Sequence, residues 1–380
     1  MRYSPAQTGP LAWFTVAVAC MAVGGATAQT PAATQAVGAQ TKASTSDDAL
    51  IRRARAALDD GRAAEAVEML RDVRRRRPQD TECTCLLARA YVGIGAGERG
   101  VQLLSGALRE NPHEPALWVA KAECLLATDR PASALACVDA ARDAVGAQAD
   151  LDWCAAQALF ELGELLGDVE VRTVAQGSAG KFVGDWYLVE PRGSDRFLCC
   201  PPRSALYQLR RALDAGVDDP RAHLLHAEIW WRIGRPRRAW AVLERMPPEV
   251  LDAAAPDELA DCQKIALAAG RIEAYLRFAR RRARRVGEAG DAVLSEAFHN
   301  AAAYFNRQGD PQLYRAFLAR AIARTPDDVR LKYEYAEALW EAGQRDEAAR
   351  WYRRVLEQSP DHPQAVRILD RLLEYESQAP

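Results

Sequence analysis

Cysteine, histidine and arginine supply this chain's chemically capable clusters. Cys199 and Cys200 are adjacent, an arrangement that forms a strained vicinal disulfide or offers two thiolates to a metal, although neighbouring cysteines usually go separate ways. His223 and His226 stand three residues apart, which puts both rings on one side of a helix at a spacing that can chelate. No third ligand is indicated nearby, and a helix-packing role accounts for both. Two basic runs, Arg74 to Arg77 and Arg280 to Arg285, suit phosphate or an acidic partner; at a helix C-terminus they equally complement the helix dipole. There is no Gly-rich phosphate loop, nucleophile elbow or paired zinc signature. The expectation is therefore a non-enzymatic protein with no cofactor and no metal.

The elements that position these residues are helices in a repeat. From Ser295 to Pro363 one pattern occurs twice with an offset of 34 residues: Ala302 and Ala336, Gly309 and Gly343, Leu318 and Tyr352, Ala321 and Val355, Pro326 and Pro360. A period of about 34 residues belongs to a two-helix solenoid unit, whose length is set by repeat number because each unit touches only its neighbours. Each mark has a mechanical cause. Gly ends the first helix in a left-handed conformation, small residues let paired helices approach, and Pro stops the second helix. Hydrophobic residues make up 49% of the 380, enough for a continuous core. A net charge of −2 argues against general nucleic-acid or anionic-membrane binding, which needs a net basic face.

Counting back by 34 places repeats at Asp47 to Asp80, Thr81 to Glu114 and Pro115 to Gln148, then a fourth from Ala149 with Ala156, Leu159 and Gly163 in their places. Its second helix is delayed to Ser204, so the hairpin tip carries an insertion. Val169, Val171 and Thr173 alternate with polar residues, Trp186 to Glu190 is β-rich, and Phe197 to Cys200 follows, which predicts a three-stranded meander. Its aromatics Phe182, Trp186, Tyr187 and Phe197 either pack on the helices or meet a partner. A fifth repeat spans Pro220 to Ala253, a degenerate sixth starts at Pro256, and the opening pair are the seventh and eighth. Gln364 to Tyr375 reads as a capping helix with Val366, Leu369, Leu372 and Leu373 on one face.

The first residues read as a targeting segment. Arg2 precedes an apolar run, Leu11 to Gly24, and Ala26-Thr27-Ala28 gives a small-residue cleavage pattern. Cleavage makes the protein exported, periplasmic or secreted; an uncleaved anchor or a lipid attachment at Cys20 are the alternatives. The expected organisation is a signal peptide at residues 1–28, a flexible linker at 29–46, three repeats and a first helix at 47–166, the β insertion at 167–203, the remaining repeats at 204–362, and a capping helix and tail at 363–380. Outside the cytoplasm, eight cysteines remain. Cys83, Cys124, Cys137, Cys154 and Cys262 occupy positions otherwise filled by Ala or Leu, as small buried hydrophobes do. Cys124 and Cys137, on the two helices of one repeat, form the candidate disulfide.

These repeats resemble the tetratricopeptide-repeat family. That family places an aromatic at position 4, Leu-Gly near 7 and 8, Tyr at 11, Gly near 15, Ala at 20, an aromatic at 24, Ala at 27 and Pro at 32. The seventh repeat has Phe298, Ala301-Ala302, Phe305, Gly309, Leu318, Ala321 and Pro326, with Ala where the family favours Gly at position 8. The resemblance covers about 290 residues from Asp47. It implies an all-α, right-handed superhelical solenoid with one small β-rich insertion. It also implies a concave groove lined by positions 2, 5, 9, 12 and 13 of the first helices. Carried over, that groove includes Trp153, Gln157 and Phe160; Glu228, Trp231 and Arg232; His299, Asn306 and Arg307; and Arg330, Tyr333, Glu337 and Trp340. Aromatic and Arg side chains carry most interface energy. The function so implied is a scaffold binding an extended peptide or a helix of a partner protein in a cell-envelope assembly. The alternatives are an envelope enzyme or thiol-active protein centred on Cys199-Cys200, and an accessory in polysaccharide export.

Overall fold

The computed structural model describes residues 46–174, 177–217 and 219–378, so the targeting segment and nearly all of the linker lie outside the described residues. The chain divides into two compact units, the first ending at Ala222 and the second beginning at His223.

In the first unit, α1 (residues 46–59), α2 (Ala63–Arg76), α3 (Thr81–Gly93), α4 (Gly97–Glu110), α5 (Pro115–Ala127), α6 (Pro131–Val145) and α7 (Ala149–Glu161) form successive hairpins. Each helix packs on the next, and the first helices α3, α5 and α7 also touch in series. The core is continuous because each hairpin presents apolar residues to both neighbours, Leu70 and Val73 to α3, Leu104 and Ala107 to α5. Gly61, Gly95 and Gly163 turn the hairpins at φ of 75°, 75° and 79°. The third repeat has Asp129 there instead, at φ 55°, the one non-Gly residue with positive φ among the described residues. Asp is one of the few residue types that tolerate the left-handed region.

The insertion between α7 and α8 (Ala205–Asp214) is a four-stranded antiparallel sheet, one strand more than the meander the pattern suggested. Strands β1 (Glu170–Thr173), β2 (Phe182–Val183), β3 (Trp186–Pro191) and β4 (Arg196–Cys200) lie in the order β1-β4-β3-β2. The first strand pairs with the last, Val171 opposite Leu198, because an insertion at a hairpin tip must return its chain to where it left. The same closure shows in the backbone. Ala205 N–H donates to the Glu164 carbonyl (2.9 Å) and Leu206 N–H to Leu165 (3.1 Å). A Cβ on Gly167, which sits at φ 60°, would stand 2.6 Å from the Arg203 carbonyl oxygen, so only glycine fits this crossing.

Where the chain returns from the insertion, α6, α7 and α8 meet at a buried carboxylate. Asp152, 3% exposed, replaces the aromatic that the repeat pattern puts at the fourth position of a first helix. Arg142 Nη2 lies 2.7 Å from Asp152 Oδ1, and Arg211 Nη2 lies 3.2 Å from Oδ2. Gln208 accepts from Arg142 (2.6 Å) and donates to the Pro202 carbonyl (2.6 Å), which ties the network to the returning end of the insertion.

The second unit contains most of α9 (Pro220–Arg232), then α10 (Pro236–Leu243), α11 (Pro248–Ala253), α12 (Pro256–Ala268), α13 (Ile272–Arg285), α14 (Gly290–Arg307), α15 (Pro311–Arg324), α16 (Val329–Glu341), α17 (Arg345–Gln358) and α18 (Ala365–Gln378). The fifth repeat's second helix is broken after Leu243, because Pro247-Pro248 removes two backbone donors and bars a helical residue before each ring. The spacing from Gly234 to Gly270 is consequently 36 residues, two more than the period.

The C-terminal helix covers the last repeat with a face different from the one expected. Ile368 and Leu372 are buried against α16 and α17, while Val366, Leu369 and Leu373 are 74%, 51% and 64% exposed. The rotation is set by polar partners. Arg367 donates to Glu337, and Arg371 lies 4.9 Å from the Trp340 ring, which Arg345 also approaches at 5.1 Å in cation–π contacts.

Candidate partner-binding surface

The expected groove residues fall into three groups. Trp153, Phe160 and Trp340 are buried, at 6%, 6% and 7% exposure, and serve as core where they stand. Tyr333, Glu337, Gln157, Glu228 and His299 are half-buried. Glu337 accepts from Tyr352 Oη and Arg367, and the Tyr333 ring lies 5.1 Å from His362, so both are engaged at the capped end. The accessible set is Trp231, half-buried, with Arg232, Asn306, Arg307 and Arg330 exposed.

Trp231 contrasts with its neighbour. Trp230 is 6% exposed, and its indole N–H donates to His226 Nε2 at 2.9 Å, while Arg238 lies over its ring at 4.7 Å. His226 is thus a core histidine with an indole partner, and among the described residues no group of three or more metal-ligating side chains exists. One residue on, the helix turns Trp231 outward. Lys264 of α12 sits 5.8 Å from that ring, and Arg232 pairs with Glu228 at 2.6 Å. Two adjacent first helices therefore present an indole, cations and a carboxylate together. Lys264 stands at position 9 counted from Pro256, a groove position, so carrying the same positions into the degenerate sixth repeat was the signal that could have found it.

Further along, His299 of α14 and Glu334 of α16 join Nε2 to Oε2 at 2.7 Å. The hydrogen bond to Glu334, reinforced by its charge, raises the imidazole pKa above its ordinary 6.5 against a smaller opposing effect of burial. A raised folded-state pKa means the pair stabilises the fold fully below pH 6.5 and loses that contribution as pH rises through the folded value. NMR titration of His299 is expected to show this elevated midpoint, and Glu334→Gln to return it toward 6.5.

The thiols are protected. All eight cysteines in the described residues are free, which removes the Cys124–Cys137 disulfide; Cys124 and Cys137 are each buried on their own helix, with the Cys137 thiol directed toward the Trp118 carbonyl at 4.0 Å. Burial pushes the Cys83, Cys124, Cys200 and Cys262 thiols up to about 12, and Cys199 also above its usual value. A reactive cysteine needs the opposite shift. Cys199 packs with Leu188 and Phe197 inside the sheet. The insertion aromatics are likewise used internally. Tyr187 and Phe197 are buried, and Phe182 meets Tyr187 at 5.1 Å and Tyr207 of α8 edge-on at 5.0 Å. Trp186 is half-buried under the Arg172 guanidinium at 3.8 Å.

Helical hairpins stacked through small-residue crossings, with side chains offered on consecutive first helices, define each unit as an α-solenoid of the repeat class. The chain contains tetratricopeptide repeats in both units: the tetratricopeptide repeat family model matches residues 95–157 and 305–376. Proteins of this family are in general protein-interaction scaffolds. Similar solved structures include the APC/C hetero-tetramer Cut9–Hcn1, at 11% identity over 85% of this chain and 55% of that one, TM-score 0.44. Others are YrrB, a TPR protein with an unusual peptide-binding site (15%, 61% and 96%, TM-score 0.42), and Pseudomonas aeruginosa pilF (11%, 67% and 96%, TM-score 0.44). The match thus spans about half, 55%, of the Cut9–Hcn1 chain. No curated protein sequence matches the chain. No helix among the described residues is long and apolar enough to cross a membrane.

Proposed function

We propose that this protein is an exported scaffold whose second unit captures a partner protein, as an extended peptide or a helix, on the first-helix surface around Trp231. The observation that carries the reading is Trp231 itself. A half-buried indole flanked by Lys264, Arg232 and Glu228 has the composition of an interface anchor with a charged rim. Exposing an indole to water has no folding benefit, whereas its neighbour Trp230 is fully employed in the core. Asn306, Arg307 and Arg330 extend the polar surface along the following first helices. Export, and with it an envelope setting, rests on Arg2, the apolar run Leu11 to Gly24 and Ala26-Thr27-Ala28.

Capture from envelope extracts with the purified chain tests both parts. Trp231→Ala is expected to weaken the captured partner by about 2 kcal/mol or more, roughly thirtyfold, with an unchanged thermal transition. Trp340→Ala serves as the contrast, since it should lower stability first. A partner retained equally by Trp231→Ala refutes the surface assignment, and a chain found with residues 1–28 intact in the cytoplasm refutes export.

A further inference from the structure

The second unit contains a pocket that the Trp231 surface does not use. It lies between the second helices α13 and α15, over α14, and is lined by Arg280, Phe298, Arg320, Ala323 and Arg324, with a volume of about 380 Å³. Phe298 and Ala323 form an apolar floor, and three guanidiniums rim it. Many arginines of the two basic runs are committed elsewhere. In the first basic run Arg76 pairs with Asp47 and Arg77 with Asp48. In the second, Arg281 pairs with Asp252 (2.9 Å), and Arg285 donates to the Asp252 and Ala253 carbonyls. At the pocket only Arg324 has a carboxylate, Asp291 at 3.0 Å. Among the described residues neither Arg280 nor Arg320 is paired with one. Arg320 is nevertheless held in place, its guanidinium 5.1 Å from the Phe317 ring.

We propose that this pocket binds a phosphate monoester. Three guanidiniums less the Asp291 carboxylate leave two uncompensated positive charges, the complement of a phosphate monoester, which carries about −1.5 to −2 at pH 7. Guanidinium forks supplied by two helices, Arg280 of α13 with Arg320 and Arg324 of α15, match a multi-oxygen acceptor better than a single carboxylate, which one arginine satisfies in bidentate fashion. The floor of Phe298 and Ala323 accommodates the carbon body that a monoester carries and a free ion lacks. Cation–π seating of Arg320 lowers the ordering cost on binding. The volume falls within the range of small-molecule sites, roughly 300–1,000 Å³.

Phosphorus NMR of inorganic phosphate and of phenyl phosphate, titrated with the full chain at low ionic strength, tests the assignment. Saturable binding at millimolar concentration is expected, with phenyl phosphate preferred. Arg280→Gln combined with Arg320→Gln is expected to weaken it roughly tenfold or more, since each removes charge-assisted hydrogen bonds. Arg99→Gln with Arg109→Gln, exposed residues of the first unit that remove the same charge, is expected to leave it unchanged. Equal affinity for the two probes assigns free phosphate to the same site. Equal weakening by both double variants reveals only diffuse charge and overturns the pocket, as does the lack of saturable binding by either probe. All four substituted arginines are solvent-exposed or pocket-lining, and circular dichroism of each variant verifies the fold.

Discussion

Asp152→Ala is expected to remove about 3 kcal/mol from the stability of the first unit, the low end of the 3–5 kcal/mol typical when one member of a buried ion pair is deleted. The low end applies because Arg142 and Arg211 keep 24% and 34% of their side-chain surface, so water partly replaces the carboxylate. It does not replace it fully. Arg142 Nε is already buried without a partner, and without Asp152 the guanidinium is left with Gln208 and the longer contact to Asp139 at 3.6 Å. Hydrogen exchange on α6, α7 and α8, read with urea unfolding, measures the effect. The isostere Asp152→Asn keeps the volume and loses the charge, so about half the cost is expected. Combining Asp152→Ala with Arg142→Ala should recover part of the loss, because the second change removes the orphaned charge. A loss below about 1 kcal/mol for Asp152→Ala would show that the network is solvated and holds nothing together.

The second large effect lies at the other end of the chain. Tyr352 is fully buried, with Trp340 and Tyr333 ring centroids 6.2 Å and 6.3 Å away and its hydroxyl donating to Glu337. Tyr352→Ala leaves an aromatic-sized cavity and is expected to cost about 3–5 kcal/mol. Tyr352→Phe keeps the packing and removes one donor to a carboxylate, an expected cost of about 1.5–3 kcal/mol. Burial first, then the Glu337 hydrogen bond, raises the phenol pKa well above 10, so the hydroxyl stays protonated across the physiological range and the bond does not depend on pH there. Glu337 also holds Arg367 of α18. Amide exchange in α18 should therefore accelerate in Tyr352→Phe, and an unaltered α18 would mean that Arg367 anchors the cap independently.

Much of this arrangement was legible in advance because its causes are local. A left-handed turn favours Gly, so Gly61, Gly95, Gly163, Gly234, Gly309 and Gly343 mark hairpin tips without knowledge of the fold. Helices that cross closely need Ala or Gly, and a second helix must stop at a proline. The buried cysteines followed from the same logic, since Cys83, Cys124 and Cys262 stand where Ala or Leu would otherwise pack. Only their pairing was misjudged, because placement on two helices of one repeat says nothing of the separation and direction of two thiols. The insertion was located by a break in period, but its strand order depended on a closure between Glu164, Leu165 and the start of α8 that no local pattern encodes.

Local pattern was enough to find the repeat, the position of the interruption and the identity of the small core residues, since each follows from backbone conformation or from volume at a fixed spacing. Which large side chains are accessible to a partner follows instead from long-range packing. Trp230 and Trp231 are the same residue type one position apart, and 100° of helical rotation sends one into the core and the other toward Lys264. Trp340 occupies the matching position in the eighth repeat and is enclosed, because Arg345 and Arg371 converge on it once α18 rotates to satisfy Glu337. Exposure of this kind is a property of neighbours contributed by distant segments, and only the folded chain brings them together.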